Sequence, residues 1–170
     1  MSLFLRLLLL LLMTPFRPRC APLGPARKGF LVWPPDLDVL LHVNNGVYLT
    51  MLDVARVDLL LRSGVAGKLW RNGIYPVVAA ETIRFRRSLR LFQSFEVDTE
   101  IIGWDDKAFL IQHRFLRGDE LVAEAIVRSR FLRRRGGTVT TKELLSVVGV
   151  SEASPVLPAW IEAWNRENAR

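Results

Sequence analysis

Residues 36–45, D-L-D-V-L-L-H-V-N-N, put two carboxylates, a histidine and two adjacent asparagines into ten positions of an otherwise apolar neighbourhood. A carboxylate just ahead of a helix can attack an electrophilic carbon or activate a water molecule. The first turn of that helix offers unpaired N–H donors and a positive dipole end, which suit a developing oxyanion. Asp36 or Asp38, His42 and Asn45 are the groups available for such catalysis, and Asn44, Gly46 and Tyr48 are candidates for holding a substrate. Plainer readings stand beside these. Asp38 also reads as a turn or capping residue, His42 as a histidine fixing the loop, Asn44 and Asn45 as helix caps, and Tyr48 as a core residue. Asp36 reads as a loop residue.

The elements that must carry these groups follow from periodicity. G-F-L-V-W (29–33) reads as a short strand stopped by Pro34 and Pro35. From Gly46 to Arg62 no proline intervenes and apolar residues occupy almost every side, which predicts a helix buried nearly all round. Its polar exceptions pair at helical spacing, Asp53 with Arg56 and Asp58 with Arg62, and Ser63-Gly64 ends it. Beyond Gly73 the period changes to two. Four strands are expected, over 76–88, 93–104, 107–118 and 120–132, with Phe95, Val97, Thr99 and Ile101 sharing one face. Asp105-Asp106 and Gly118-Asp119 supply tight turns, so these strands are antiparallel neighbours. Short helices at T-K-E-L-L-S-V-V-G and L-P-A-W-I-E-A-W-N-R-E-N close the chain. A buried helix followed by consecutive antiparallel strands predicts an α+β domain in which a curved antiparallel sheet wraps round a long central helix, the hot-dog arrangement.

Composition bounds what remains. The 170 residues are half hydrophobic and suit one domain rather than two. The expected division is an apolar helix and connector over 1–28, the main domain over 29–134 and a helical extension over 135–170. Twenty-four Lys and Arg against 17 Asp and Glu leave a net charge of +7, which favours anionic partners. One cysteine, Cys20, excludes a disulfide framework, and two histidines make no evident metal site. Nucleic-acid binding ranks last, because no aromatic stripe lies among the arginines. Residues 3–13, L-F-L-R-L-L-L-L-L-L-M, are fewer than the ~20 apolar residues a membrane-crossing helix requires. A peripheral membrane helix or a helix packed on the domain or its dimer partner is preferred over a signal sequence, with a cytoplasmic location, free or membrane-associated, as the expectation.

The run D-L-D-V-L-L-H-V-N-N-G-V-Y-L, followed by the helical pair Ala55-Arg56, resembles the acyl-CoA thioesterase group of the hot-dog superfamily, which includes the 4-hydroxybenzoyl-CoA thioesterase-like and YbgC-like enzymes. The family pattern is approximately D-x-D-x-x-G-H-V-N-N-x-x-Y. I-R-F-R-R-S-L-R-L-F-Q-S-F-E-V also resembles the family's second strand and following turn, and the likeness covers roughly residues 30–134. The ends of the chain resemble the branch named for thioesterase superfamily member 6. The resemblance implies hydrolysis of an acyl-CoA thioester, with Asp38 as nucleophile or general base and the amides around Asn45 and Gly46 polarising the thioester carbonyl. Coenzyme A enters as part of the substrate, and no cofactor or metal is implied. A hot-dog protein that binds acyl-CoA or lipid without turnover is the alternative. The chain departs from the pattern at Leu41, where the family has glycine; leucine restricts the backbone and adds bulk beside the expected thioester.

Further candidates lie downstream. Glu81, counted in twos, shares a strand face with Val77, Ala79, Ile83 and Phe85, and reads either as a partner of a buried arginine such as Arg56 or as a second catalytic carboxylate. His113 falls among Phe109, Ile111 and Phe115 and reads as a satisfied core histidine. Arg84, Arg86, Arg87 and Arg90 are candidates for the phosphates of coenzyme A, beside the plainer reading of a solvated basic face. Exposed sheet edges favour pairing of two domains, so a homodimer or homotetramer is expected.

Overall fold

Strong period-two alternation from Ile74 onward carries the chain into four long strands, as a computed structural model that describes residues 2–169 shows. These are β2 (Ile74–Phe85), β3 (Ser94–Trp104), β4 (Phe109–Arg117) and β5 (Glu120–Arg133), preceded by β1 (Ala26–Leu31) and followed by the short β6 (Thr138–Val139). The pairing is antiparallel throughout, in the order β1-β3-β4-β5-β2, with β6 against β5. β1 begins three residues before the stretch the sequence marked, because its first half (Ala26, Arg27, Lys28) pairs with Thr99, Asp98 and Val97 rather than relying on apolar side chains.

The central helix α2 (Asn45–Arg62) lies on one face of this sheet. Met51, Leu52, Val54 and Ala55 pack against Phe95, Val97, Ile111, Phe115, Ala125 and Val127. Tyr48 meets Phe85 and Phe115 edge-on, with ring centroids 5.0 and 5.2 Å apart, and so seats the start of the helix. A second helix, α1 (Leu3–Met13), explains the apolar residues on the far side of α2: Leu3, Leu7 and Leu10 join the same core. Asp53–Arg56 and Asp58–Arg62 pair as their spacing predicts. Asp58 is wholly buried and also takes the Arg17 guanidinium, which ties the connector after α1 to the rear half of α2.

The opposite face of the sheet is covered by the end of the chain. After α3 (Val65–Arg71) and α4 (Thr141–Val148), the helix α5 (Ala159–Glu167) places Ile161 on Leu110 and Ile126. The segment before α5 presses so closely on β3 that a Cβ at Gly103 would stand 2.8 Å from Leu157. Among the described residues no helix is long and apolar enough to cross a membrane.

Strand order decides where the functional groups meet. β2 is one edge of the sheet and β3 lies next to the other, so residues 86–93 must pass across β5 and β4. They pass the start of α2, where Val43 N–H bonds the Leu89 carbonyl at 2.9 Å. That crossing brings the arginine-rich segment to the D-x-D hairpin.

Candidate active site

Asp38 sits in a hairpin (36–44) laced by backbone bonds. The Asn44 N–H bonds the Asp36 carbonyl at 2.9 Å, Leu37 bridges Val43, and the Asp38 N–H bonds the His42 carbonyl at 2.8 Å. The tip is closed by Leu41, which adopts φ 59°, the left-handed conformation natural to glycine. Leucine at this position thus keeps the glycine-type turn, and its side chain is 70% exposed rather than filling the cleft. Oδ1 of Asp38 accepts the Leu40 N–H at 2.8 Å and the His42 N–H at 3.4 Å, an arrangement that fixes the carboxylate and leaves Oδ2 without an intramolecular bond among the described residues.

Asn44 caps α2: its Oδ1 accepts the Gly46 N–H at 2.8 Å and its carbonyl accepts the Val47 N–H at 2.9 Å. The Gly46 amide is therefore already engaged, which corrects its expected role as a carbonyl donor. The neighbouring Asn45 N–H has no intramolecular partner among the described residues and is the donor that remains. Asp38, Leu40, His42, Val43, Asn45, Tyr48, Phe85, Arg86, Arg87 and Ser88 line one open cleft of about 550 Å³. Tyr48 is both core and cleft wall; burial pushes its hydroxyl pKa up, against an opposing bond from the Leu89 backbone.

The other expected residues divide. Arg86 and Arg87 reach the cleft, although Arg87 is shared with Glu120. Arg90 is exposed and bridges His42 through its backbone. Arg84 faces away and lies over the Trp160 ring, 5.9 Å from its centroid. Glu81 is exposed, not buried among apolar neighbours. A β-bulge between Val78 and Ala80 breaks the count by twos, so Glu81 shares its face with Ile83 and Phe85 but not with Val77 or Ala79. It lies on an edge strand, and Arg56 takes Asp53 as its ion-pair partner, with the Glu81 charge acting on it without a direct bond. His113 is fully buried, with Nδ1 3.0 Å from Thr99 Oγ1 and Nε2 unpartnered. Burial, reinforced by the Arg56 charge, holds its pKa well below the ordinary histidine value.

Asp36 is the residue sequence reasoning missed. It is 1% exposed and accepts the Trp33 N–H at 2.9 Å and Arg6 Nη2 at 2.5 Å. Burial opposes its ionisation, but the hydrogen bonds its carboxyl accepts, those from Trp33 and Arg6 among them, and the Arg6 charge hold it below the usual range. The signal was present: a lone arginine in an eleven-residue apolar helix needs a buried acid.

A family profile described as the thioesterase-like superfamily matches residues 32–164. The chain belongs to that superfamily. Protein THEM6 of Xenopus laevis is 37% identical over 138 residues, 81% of this chain and 66% of that protein. Protein THEM6 of Danio rerio is 34% identical over 128 residues, 74% and 63% respectively. The chain thus spans slightly under two thirds of the length of these relatives. Among solved structures, the probable thioesterase YbaW of Escherichia coli superposes with a TM-score of 0.68 at 23% identity, covering 72% of this chain and 95% of that one. A 4-hydroxybenzoyl-CoA thioesterase variant crystallised with 4-hydroxybenzoyl-CoA gives 0.65 at 16% identity, covering 72% and 97%. These likenesses establish the hot-dog fold for this thioesterase-superfamily chain.

Proposed function

We propose that this thioesterase-superfamily protein hydrolyses an acyl-CoA thioester to a free acid and coenzyme A. The observation that carries the proposal is the meeting, in one cleft, of the fixed Asp38 carboxylate, the free Asn45 N–H and the paired arginines 86 and 87. The Asn45 amide, at the positive end of α2, polarises the thioester carbonyl and stabilises the oxyanion. Asp38 Oδ2 either takes a proton from the attacking water or itself adds to the carbonyl to give an anhydride that water then hydrolyses, and in both routes the thiolate of coenzyme A departs. Arg86 and Arg87 hold phosphate groups at the cleft mouth. His42 lines the cleft and fixes the hairpin through its backbone.

The working unit in this reading is a homodimer formed along β2, whose free edge exposes Tyr75 and Val78. The outer face of α1, with Phe4, Leu8, Leu11 and Leu12 exposed, rests on a membrane surface, where the exposed Arg19 meets anionic headgroups. The test is thiol release from acyl-CoAs of graded chain length. Turnover is expected, with a loss of at least ~10²-fold in Asp38→Ala, the scale of a positioned general base. Saturable acyl-CoA binding without thiol release would select the non-hydrolytic alternative, and full activity in Asp38→Ala would remove Asp38 from the mechanism.

A further inference from the structure

Helix α1 reaches the reactive hairpin through a buried ion pair. Arg6 is 4% exposed, and its Nη2 lies 2.5 Å from Oδ2 of Asp36, which is itself buried. Asp36 occupies the base of the hairpin. Its carbonyl receives the Asn44 N–H, so the residue that meets Arg6 also holds the residue that caps α2. Two positions along the same arm is Asp38, whose carboxylate is fixed by amides of the hairpin tip. A displacement at Asp36 therefore moves both sides of the cleft, the carboxylate on one arm and the helix start on the other.

Stability alone is a weak reason for such a pair, because apolar residues of similar volume usually stabilise a core as well or better. What an ion pair adds is a defined register between the elements it joins. Arg17, which is partly exposed, forms a second pair with the buried Asp58, but it meets α2 thirteen residues beyond Asn45, ~20 Å along the helix axis. One pair thus lies at the chemistry and the other is remote from it.

We infer that Arg6 is a positioning residue: acting through Asp36, it holds the 36–44 hairpin so that Asp38 and the Asn45 N–H keep their relation across the cleft. This rests on Asp38 being the reacting carboxylate. Helix α1 is consequently part of the active-site scaffold, and a change in what α1 contacts is felt at Asp38.

The test compares Arg6→Met, Arg6→Lys and Arg17→Met in the full chain, by acyl-CoA kinetics and by hydrogen exchange of the hairpin amides. Arg6→Met is expected to lower kcat ~10- to 100-fold with KM little changed, the scale of misplacing a catalytic group by about an ångström. It should also speed exchange at Leu41, Val43 and Asn44. Arg6→Lys, which keeps a cation near Asp36, should retain most of kcat. Arg17→Met should lower the melting temperature yet leave kcat and hairpin exchange unchanged. Unaltered kcat and exchange in Arg6→Met would overturn the inference, as would an equal loss of kcat in Arg17→Met, since the effect would then follow stability. If the wild-type protein turns over no acyl-CoA, the hydrolytic reading fails, while hairpin exchange in Arg6→Met still decides whether Arg6 fixes the hairpin.

Discussion

Leu41 offers a test in which the ordinary sign of a substitution reverses. Its φ of 59° places an L-residue in the left-handed region, at a cost of about 1–2 kcal/mol that glycine escapes. Glycine in turn gains more freedom in the unfolded chain than alanine does, worth about 0.4–1 kcal/mol against it. Both replacements lose the same modest contact, because the leucine side chain is 70% exposed. The balance makes Leu41→Gly more stable than Leu41→Ala by about 1 kcal/mol, or ~2–4 °C in melting temperature for a chain of this size. At Leu40, which is exposed and free of positive φ, the order should be the usual one, with alanine above glycine. Urea or thermal unfolding of the four variants measures both differences. Leu41→Ala equal to or more stable than Leu41→Gly would mean that the hairpin tip does not hold a left-handed residue, and the account of how the chain tolerates leucine in the family's glycine position would fall.

Other consequences can be measured alongside. His113 is neutral in the fold with a pKa depressed by burial, so the unfolded chain binds its proton first as pH falls. Stability is then full above the free-histidine value of 6.5 and declines below it, by up to about 1.4 kcal/mol per pH unit, and His113→Gln should flatten that slope in urea unfolding between pH 7.5 and 5. Asp58→Ala leaves Arg17 and the half-buried Arg62 without their shared carboxylate and should cost about 3 kcal/mol by the same assay. The double change Arg86→Ala and Arg87→Ala should raise KM for acyl-CoA ~10-fold or more, the scale of losing a charged hydrogen bond, while leaving KM for an acyl-pantetheine thioester unchanged. An equal rise for both substrates would show that the arginines do not read the phosphates.

The parts of this architecture governed by local rules were legible in the sequence. Alternation marked β3, β4 and β5 to within a residue or two, the absence of proline and the Asn44 cap marked α2, and the spacing from Asp38 to Tyr48 marked the cleft. The parts that depend on non-local geometry were not. Glu81 was assigned neighbours by a count that a single bulge residue invalidates. Gly46 was expected to offer its amide, which the adjacent Asn44 side chain had already taken. Asp36 looked like a turn residue because its partner lies thirty positions away, the lone arginine of an otherwise apolar helix. Of the four arginines in 84–90, which ones face the cleft depends on where strand β2 ends and the crossing begins.

The cover that α5 lays over the outer face of the sheet sets a limit on how the protein can be shortened. Arg128 is 2% exposed in the middle of β5 and is satisfied from two directions, by the Asp105 carboxylate at 2.7 Å and by the Asn165 amide oxygen at 2.8 Å. Asn165 also donates to Asp105 at 2.9 Å, closing a three-membered ring of contacts. The superfamily match ends at residue 164, so a domain boundary drawn from family likeness would remove the residue that completes this ring. A protein cut there would leave the Arg128 guanidinium on the back of the central strands with Asp105 alone. The practical boundary of the fold is set by the partner of a buried arginine and lies beyond the last position that the family shares.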